Sequence, residues 1–210
     1  MEDKTGDLSN WPANKRADVL RDVHDLIRTR WSPRAFADRA VAESDLRTVL
    51  DAARWAPSSF NEQPWRFIIA TKSAQSDHKR ILHLLVPGNQ EWAKNAPVLI
   101  ITATKRTFSH DGRPNFHALH DAGAAWAFLA LQATALGMYA HGMAGFDRER
   151  ARKELGVPDD YEVATAIALG YLGTPDALSE KTRTRELAKR ERKPLSELVF
   201  EGHWNKPFDV

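Results

Sequence analysis

Apolar residues recur at three- and four-residue intervals along residues 15–28, where Val19, Leu20, Val23, Leu26 and Ile27 share one face and Arg and Asp take the other. That spacing predicts an amphipathic helix. Pro33 disfavours helix at Ser32, so the run Arg28-Thr29-Arg30-Trp31-Ser32-Pro33-Arg34-Ala35-Phe36 is expected to leave the helix as an extended or turned segment that gathers cations. Ser44 is the expected N-cap of a second helix to Trp55, with Leu46, Val49, Leu50 and Ala53 as its buried stripe. Residues 65–71 are aromatic and β-rich and predict a strand. A helix over residues 74–85, carrying His78, Ile81, Leu82 and Leu85, is expected to stop at Pro87-Gly88. The near-continuous apolar run of residues 97–104 predicts a strand covered on both faces. Residues 107–115 read as a loop turning at Asp111-Gly112-Arg113-Pro114. The longest helix is expected over residues 117–136, apolar almost all round and ended by Gly137, which suits a central helix at a subunit contact. A short strand follows from residue 138 into the turn at Gly145. Asp147 caps a short charged helix ending near Gly156, and residues 163–172 form a third apolar run punctuated by Gly170 and Gly173. From Thr174 the chain is basic and polar until Leu195, Leu198, Val199 and Phe200, which suit either a last strand or a packed tail. Helices and strands mix without a βαβ rhythm or a repeat, and the fold class expected is α+β.

Between the second helix and the first strand lies Ala56-Pro57-Ser58-Ser59-Phe60-Asn61-Glu62-Gln63-Pro64-Trp65. Two prolines stiffen it, and Ser58, Ser59, Asn61 and Gln63 crowd hydrogen-bonding groups into one arc. Such a loop either presents donors to a ligand or satisfies its own backbone.

Composition narrows the chemistry. The 210 residues suit a single domain, with residues 1–14 a polar, aperiodic, flexible arm and residues 15–210 the folded unit. Hydrophobic residues at 42% and charged residues at 28% exclude a largely disordered chain. No apolar run is long enough for a bilayer and residues 1–10 are polar, so no membrane association and a cytoplasmic location are expected. The absence of cysteine removes disulfides and thiolate nucleophiles, so redox chemistry requires a bound cofactor. A formal net charge of +2 gives no case for nucleic acid, but cations concentrate at residues 28–34 and 181–193 and suit an anionic small-molecule group.

Several motifs are absent or weak. There is no Gly-x-Gly-x-x-Gly after a strand and no Walker loop. His117, His120 and Asp121 have a spacing that metal ligands use but lack a second ligand set, so no metal is expected. His141 beside Gly142 reads as a hydrogen-bonded loop histidine. In an extended segment Arg30, Ser32 and Arg34 face the same way, which would let two guanidiniums and a hydroxyl hold a phosphate; the alternative is a solvated basic loop.

Taken in order, Arg30-Trp31-Ser32-Pro33-Arg34-Ala35-Phe36, the residue 56–67 loop motif, Ala144-Gly145-Phe146-Asp147, Ala168-Leu169-Gly170-Tyr171 and Arg190-Glu191-Arg192-Lys193-Pro194-Leu195 resemble the FMN-dependent nitroreductase family over residues 19–199. The resemblance implies a central, mostly antiparallel sheet flanked by helices, in an intertwined homodimer with FMN at the subunit interface and the C-terminal tail packing on or across the dimer. It implies that Arg30, Ser32, Arg190 and Arg192 hold the FMN phosphate and ribityl end and that Arg34 lies by the pyrimidine edge. Pro57, Ser58, Ser59 and Asn61 would reach the partner's flavin, and Ala144 and Gly145 would pass their backbone along the N5 edge. Asn89 and Gln90 fall where related proteins place pyrimidine contacts, and Trp92 and residues 107–114 are lid candidates. Two departures stand out: Ala144 occupies a position where many members carry Glu, and Trp31 replaces a basic or polar residue and either packs on the flavin region or enters the core. The implied activity is FMN-dependent NAD(P)H oxidation, with NADPH or NADH as donor and a small-molecule nitroaromatic, quinone or similar acceptor, by a ping-pong mechanism without a protein nucleophile. The alternatives are a related flavin enzyme with another substrate (reductive dehalogenase, enone reductase or dehydrogenase), a flavin-binding protein with little turnover, and a flavin-free interaction protein.

Overall fold

Residues 11–19 and 21–208 are described by a computed structural model. The expected arm falls largely on residues 1–10, and Leu20 of the first helical pattern also lies outside the described residues.

Four strands form one antiparallel sheet: β1 (Trp65–Thr71), β2 (Val98–Lys105), β3 (Met138–Met143) and β4 (Tyr161–Tyr171), in the order β1-β2-β4-β3. β2 is buried along its length except at Lys105, as its unbroken apolar run requires. Successive side chains alternate between faces. Val98 and Ile100 therefore join one core with Leu46, Val49 and Ala53 of α2 (Glu43–Arg54) and Ala125, Leu129 and Ala133 of α5 (Ala118–Ala135). Leu99 and Ile101 join a second core with Ile81 and Leu84 of α3 (Gln75–Leu84), Trp92 of α4 (Pro87–Ala93) and Ala151 of α6 (Arg148–Glu154). Each large side chain so buried contributes about 1.5–3 kcal/mol of transfer free energy.

The first helix is much shorter than its periodicity predicts. Only α1 (Asp25–Thr29) is helical, entered through His24, whose Nδ1 accepts from Leu26 N at 3.2 Å. Lys15 lies instead in a 3-10 turn, Ala13–Lys15, and is only 3% exposed, because its ammonium is drawn into contact with Ala188 O and the Trp31 ring. That long-range demand overrides the local pattern. Pro87 ends nothing: α3 already stops at Leu84, and Pro87 occupies the first turn of α4, where its fixed φ and missing N–H are tolerated. α2 begins at Glu43 with Ala42 as its cap residue, two positions before the expected Ser44. α7 (Glu180–Leu187) went unforeseen because it has no apolar stripe; its buried residues are Thr182 and Glu186. Residues 195–208 form no strand ladder, only the 3-10 turn Leu195–Glu197 and an isolated Phe200–Pro207 bridge. Among the described residues α5 buries a single face, leaving Leu119 50% and Phe128 39% exposed.

Candidate functional site

The segment after α1 is held on three sides. Phe36 bridges Leu172, Ala37 N donates to Tyr171 O at 2.9 Å, and Gly173 N donates to Ala35 O at 2.9 Å, so the segment runs beside the end of β4. His141 of β3 donates Nδ1–H to Pro33 O at 2.8 Å. Glu186 of α7 accepts from Arg34 N at 2.9 Å and Ala35 N at 3.2 Å. These restraints fix Arg30, Ser32 and Arg34 without using the side chains of Arg30 or Ser32.

Two residues from the C-terminal motif meet this segment. Arg190 donates from Nη1 to Lys15 O at 2.7 Å and Arg28 O at 3.0 Å, which ties the tail to α1. Arg30 is half-buried, and burial, then the Arg192 cation, lower its pKa; burial, then Arg30 and Arg192, lower that of Arg190. Among the described residues no carboxylate pairs with any of the three at ion-pair distance. Arg30 lines two adjoining cavities, one of about 410 Å³ shared with Ser32, Trp126, Leu131 and Gly142, the other of about 840 Å³ shared with Lys189, Arg190, Arg192 and Lys193. Convergent guanidiniums with no carboxylate at ion-pair distance can hold an anion, although Asp18 and Glu191 also line the larger cavity.

The proline-flanked loop turns through a 3-10 segment, Ser59–Asn61, with Phe60, Asn61 and Gln63 in the left-handed region at φ 52, 54 and 50. Three such residues together store backbone strain of about 1–3 kcal/mol each. Asp121, buried in α5, holds the turn by accepting from Ser59 N at 3.0 Å. Ser58 Oγ accepts from Gln63 N at 3.0 Å, and Gln63 Nε2 donates to Asn61 O at 3.0 Å. The loop therefore spends part of its polar inventory on itself, while Pro57 and Asn61 remain exposed. Phe60, 81% exposed, meets Phe108 edge-on at 5.6 Å, and Glu62 accepts from Ser109 N at 2.9 Å, so the residue 107–114 loop packs against this one.

Beyond β3, Ala144 is exposed and the Gly145 carbonyl accepts from Val86 N and Asn89 Nδ2, both at 3.0 Å. A Cβ at Gly145 would lie 2.9 Å from Asn89 Nδ2 and from Val86 Cγ2, so glycine is what lets this backbone approach α4. Asn89 thus joins the third motif, whereas Gln90 turns its amide back to Leu85 O at 2.6 Å.

Not every expected site residue is exposed to a ligand. Trp31 is 6% exposed and packs edge-on against Tyr139 at 6.1 Å, so of its two expected roles these contacts describe the core one. Trp92 is 2% exposed between Phe36 and His141, which removes it as a lid candidate. His120 and Asp121 touch at 3.2 Å, but Asp121 serves the Ser59 turn, and no metal-holding group of His, Asp or Glu occurs among the described residues. The loop and the arginines share no cavity within the chain. Asp121 precedes the cavity-lining residues Trp126 and Leu131 by about 8–15 Å along α5, and neither cavity that Arg30 lines includes a residue of the loop.

Sequence reasoning missed Glu186 and the anchoring role of Asp121. Glu186 gave no signal in a run of charges; Asp121 gave one, as an acid in an otherwise apolar helix.

Burial pushes the His141 pKa down to about 4, with the nearby Arg34 cation adding to it and the hydrogen bond to Pro33 O opposing it. The imidazole is therefore neutral when folded and titrates near 6.5 when unfolded. Its stabilising share is complete above the unfolded value and is lost as pH falls towards the folded one. The unfolding free energy from urea titrations should decline between about pH 6.5 and 4, by at most about 3 kcal/mol in total, and a His141→Gln variant should flatten that part of the curve. An identical pH profile in the variant would contradict the assignment.

The Nitroreductase family profile matches residues 27–171. A solved structure of an FMN-containing oxidoreductase superposes with a TM-score of 0.86 at 41% identity, over 92% of this chain and 98% of that one. An FMN complex of a provisionally assigned nitroreductase from Desulfovibrio desulfuricans gives 0.68 at 26% identity, over 91% and 100%. A protein of Archaeoglobus fulgidus, provisionally named NADH dehydrogenase/NAD(P)H nitroreductase, is 30% identical over 156 residues, 72% of this chain and 86% of its own length. The α+β sheet and its flanking helices agree with that grouping, and the chain belongs to the nitroreductase family.

Proposed function

We propose that this protein is an FMN-dependent NAD(P)H oxidoreductase that reduces nitroaromatics, quinones or similar electron-poor small molecules. The observation that carries the reading is the meeting of Arg30, Arg190 and Arg192 beside a cavity, where burial and then neighbouring cations lower the pKa values of Arg30 and Arg190 and no carboxylate lies at ion-pair distance among the described residues. A dianionic phosphate is the chemistry such a site fits, and Ser32 on the adjoining cavity wall adds a hydroxyl for the phosphate or ribityl end. Arg34 would face the pyrimidine edge, Asn89 would assist it, and the Ala144-Gly145 backbone would run along the N5 edge.

Bound FMN supplies hydride acceptance and return at N5. The chain's part is to bind, orient and balance charge, since no nucleophile or metal is required of it. Donor and acceptor take turns in one cleft, which makes the kinetics ping-pong. The separation of the residue 57–61 loop from the arginine cluster supports a homodimer in which Pro57, Ser58, Ser59 and Asn61 complete the partner's site. The exposed Leu119 and Phe128 on α5, with Trp204 and Phe208 in the tail, offer apolar surface for that contact. Residues 15–210 act as one unit in this reading, and the cysteine-free chain works with the cytoplasmic nucleotide pool. No helix among the described residues is long and apolar enough to cross a membrane.

The test is the visible spectrum of purified protein loaded with FMN, before and after anaerobic NADH or NADPH, followed by steady-state kinetics with a quinone. Bleaching by one nucleotide and parallel double-reciprocal lines are expected. A protein that takes up no FMN, or a bound flavin that neither nucleotide reduces, would overturn the reading; the latter result points to a flavin-binding protein without turnover.

A further inference from the structure

Glu186 is fully buried, yet it is a carboxylate in a segment otherwise crowded with cations. Its Oε2 accepts from Arg34 N at 2.9 Å and stands 4.0 Å from Arg34 Nη1, while Oε1 accepts from Ala35 N at 3.2 Å. Lys15, itself buried, is the second cation close enough to act on it, and donates to Ala188 O two residues along the chain. A buried charge persists only where partners compensate its desolvation. Burial raises the Glu186 pKa, and the two N–H groups, Arg34 and Lys15 oppose that rise; as a carboxylate it is shared by two cations, which leaves a net positive charge beneath the turn that carries Arg34.

Holding two backbone N–H groups does not by itself require a charge; a neutral amide oxygen can accept from an N–H. What the carboxylate adds is a negative charge beside the Arg34 guanidinium. We propose that Glu186 is a positioning residue that fixes Arg34 and sets how much of its positive charge reaches the pyrimidine edge of the flavin, and so sets the flavin's reduction potential. This rests on the placement of FMN given above. Reduction adds negative charge at that edge, and an uncompensated cation there favours the reduced form.

Glu186→Gln keeps the side-chain volume and one acceptor oxygen but removes the charge. In the FMN-loaded protein its two-electron potential, read by equilibrium titration against a reference dye, is expected to rise by about 30 mV, a tenfold shift in the redox equilibrium. In an Arg34→Gln background the same replacement should give little shift, because the route runs through Arg34. An FMN-loaded Glu186→Gln protein with unchanged potential overturns the proposal, and so does a shift that persists without Arg34. If Glu186→Gln does not fold, Arg34→Gln alone decides: a potential lowered by a similar amount supports the proposal and an unchanged one overturns it. Failure of the unmodified protein to bind FMN would instead bring down the cofactor placement, and this inference with it.

Discussion

Replacing Arg30 with alanine should weaken FMN binding about 10- to 150-fold while leaving the apoprotein no less stable. The first half follows from charge-assisted hydrogen bonds, each worth about 1.5–3 kcal/mol when a partly desolvated guanidinium meets an anion. Arg30 lines both cavities of the site, and its guanidinium makes no hydrogen bond among the described residues, so its bonding capacity is available to a ligand. The second half follows from its neighbours. Burial and then Arg192 lower the Arg30 pKa, and burial and then Arg30 lower that of Arg190, so removing one cation relieves the repulsive part in the apoprotein. A residue kept for folding would show the opposite pattern. Fluorescence titration of apoprotein with FMN, paired with urea unfolding of the apo form, separates the two effects. Arg80, exposed and paired with Asp77, serves as the control whose replacement should change neither. Unaltered FMN affinity in the Arg30 variant would refute the phosphate assignment.

Gly173→Ala should have the largest effect on the fold. A Cβ there would lie 2.5 Å from the carbonyl carbon of Phe36, 2.6 Å from its oxygen and 2.7 Å from Ala37 N, all backbone atoms that cannot rotate aside. Relief requires residues 35–37 to move away from the end of β4, breaking the Gly173–Ala35 and Ala37–Tyr171 hydrogen bonds. Overpacking typically costs about 1–3 kcal/mol, and a clash with backbone belongs at the upper end. A melting temperature lower by about 6–12 °C is expected for a chain of this size. Because the displaced segment carries Arg30, Ser32 and Arg34, FMN affinity should fall with it, although position 173 touches none of the proposed ligand. Wild-type stability in this variant would show that the two segments are less tightly joined than described.

Several elements were legible in the chain because each has a local cause. The unbroken apolar run of β2, the long apolar helix ended at Gly137 and the Asp147 cap, whose carboxylate accepts from Arg150 N at 2.9 Å, are set by neighbours in sequence. The motifs of the proposed site were legible too, as ordered short strings of Arg, Ser, Pro, Asn and Gly.

Other features depended on contacts between distant residues. Nothing local predicts that Lys15 leaves a helical pattern to enter the interior beside residues 186–188, that Glu186 holds a turn 152 residues away, or that Asp121 secures a loop 62 residues before it. The same holds for Trp31 and Trp92, whose burial depends on which rings the fold brings against them. The sequence by itself determined the strands, most helices and the chemical character of the candidate site, because periodicity, capping and turn chemistry act over a few residues. Only the tertiary structure decided which charges meet, which are compensated and which stand ready for an anion, because a charge's energy depends on what surrounds it in space.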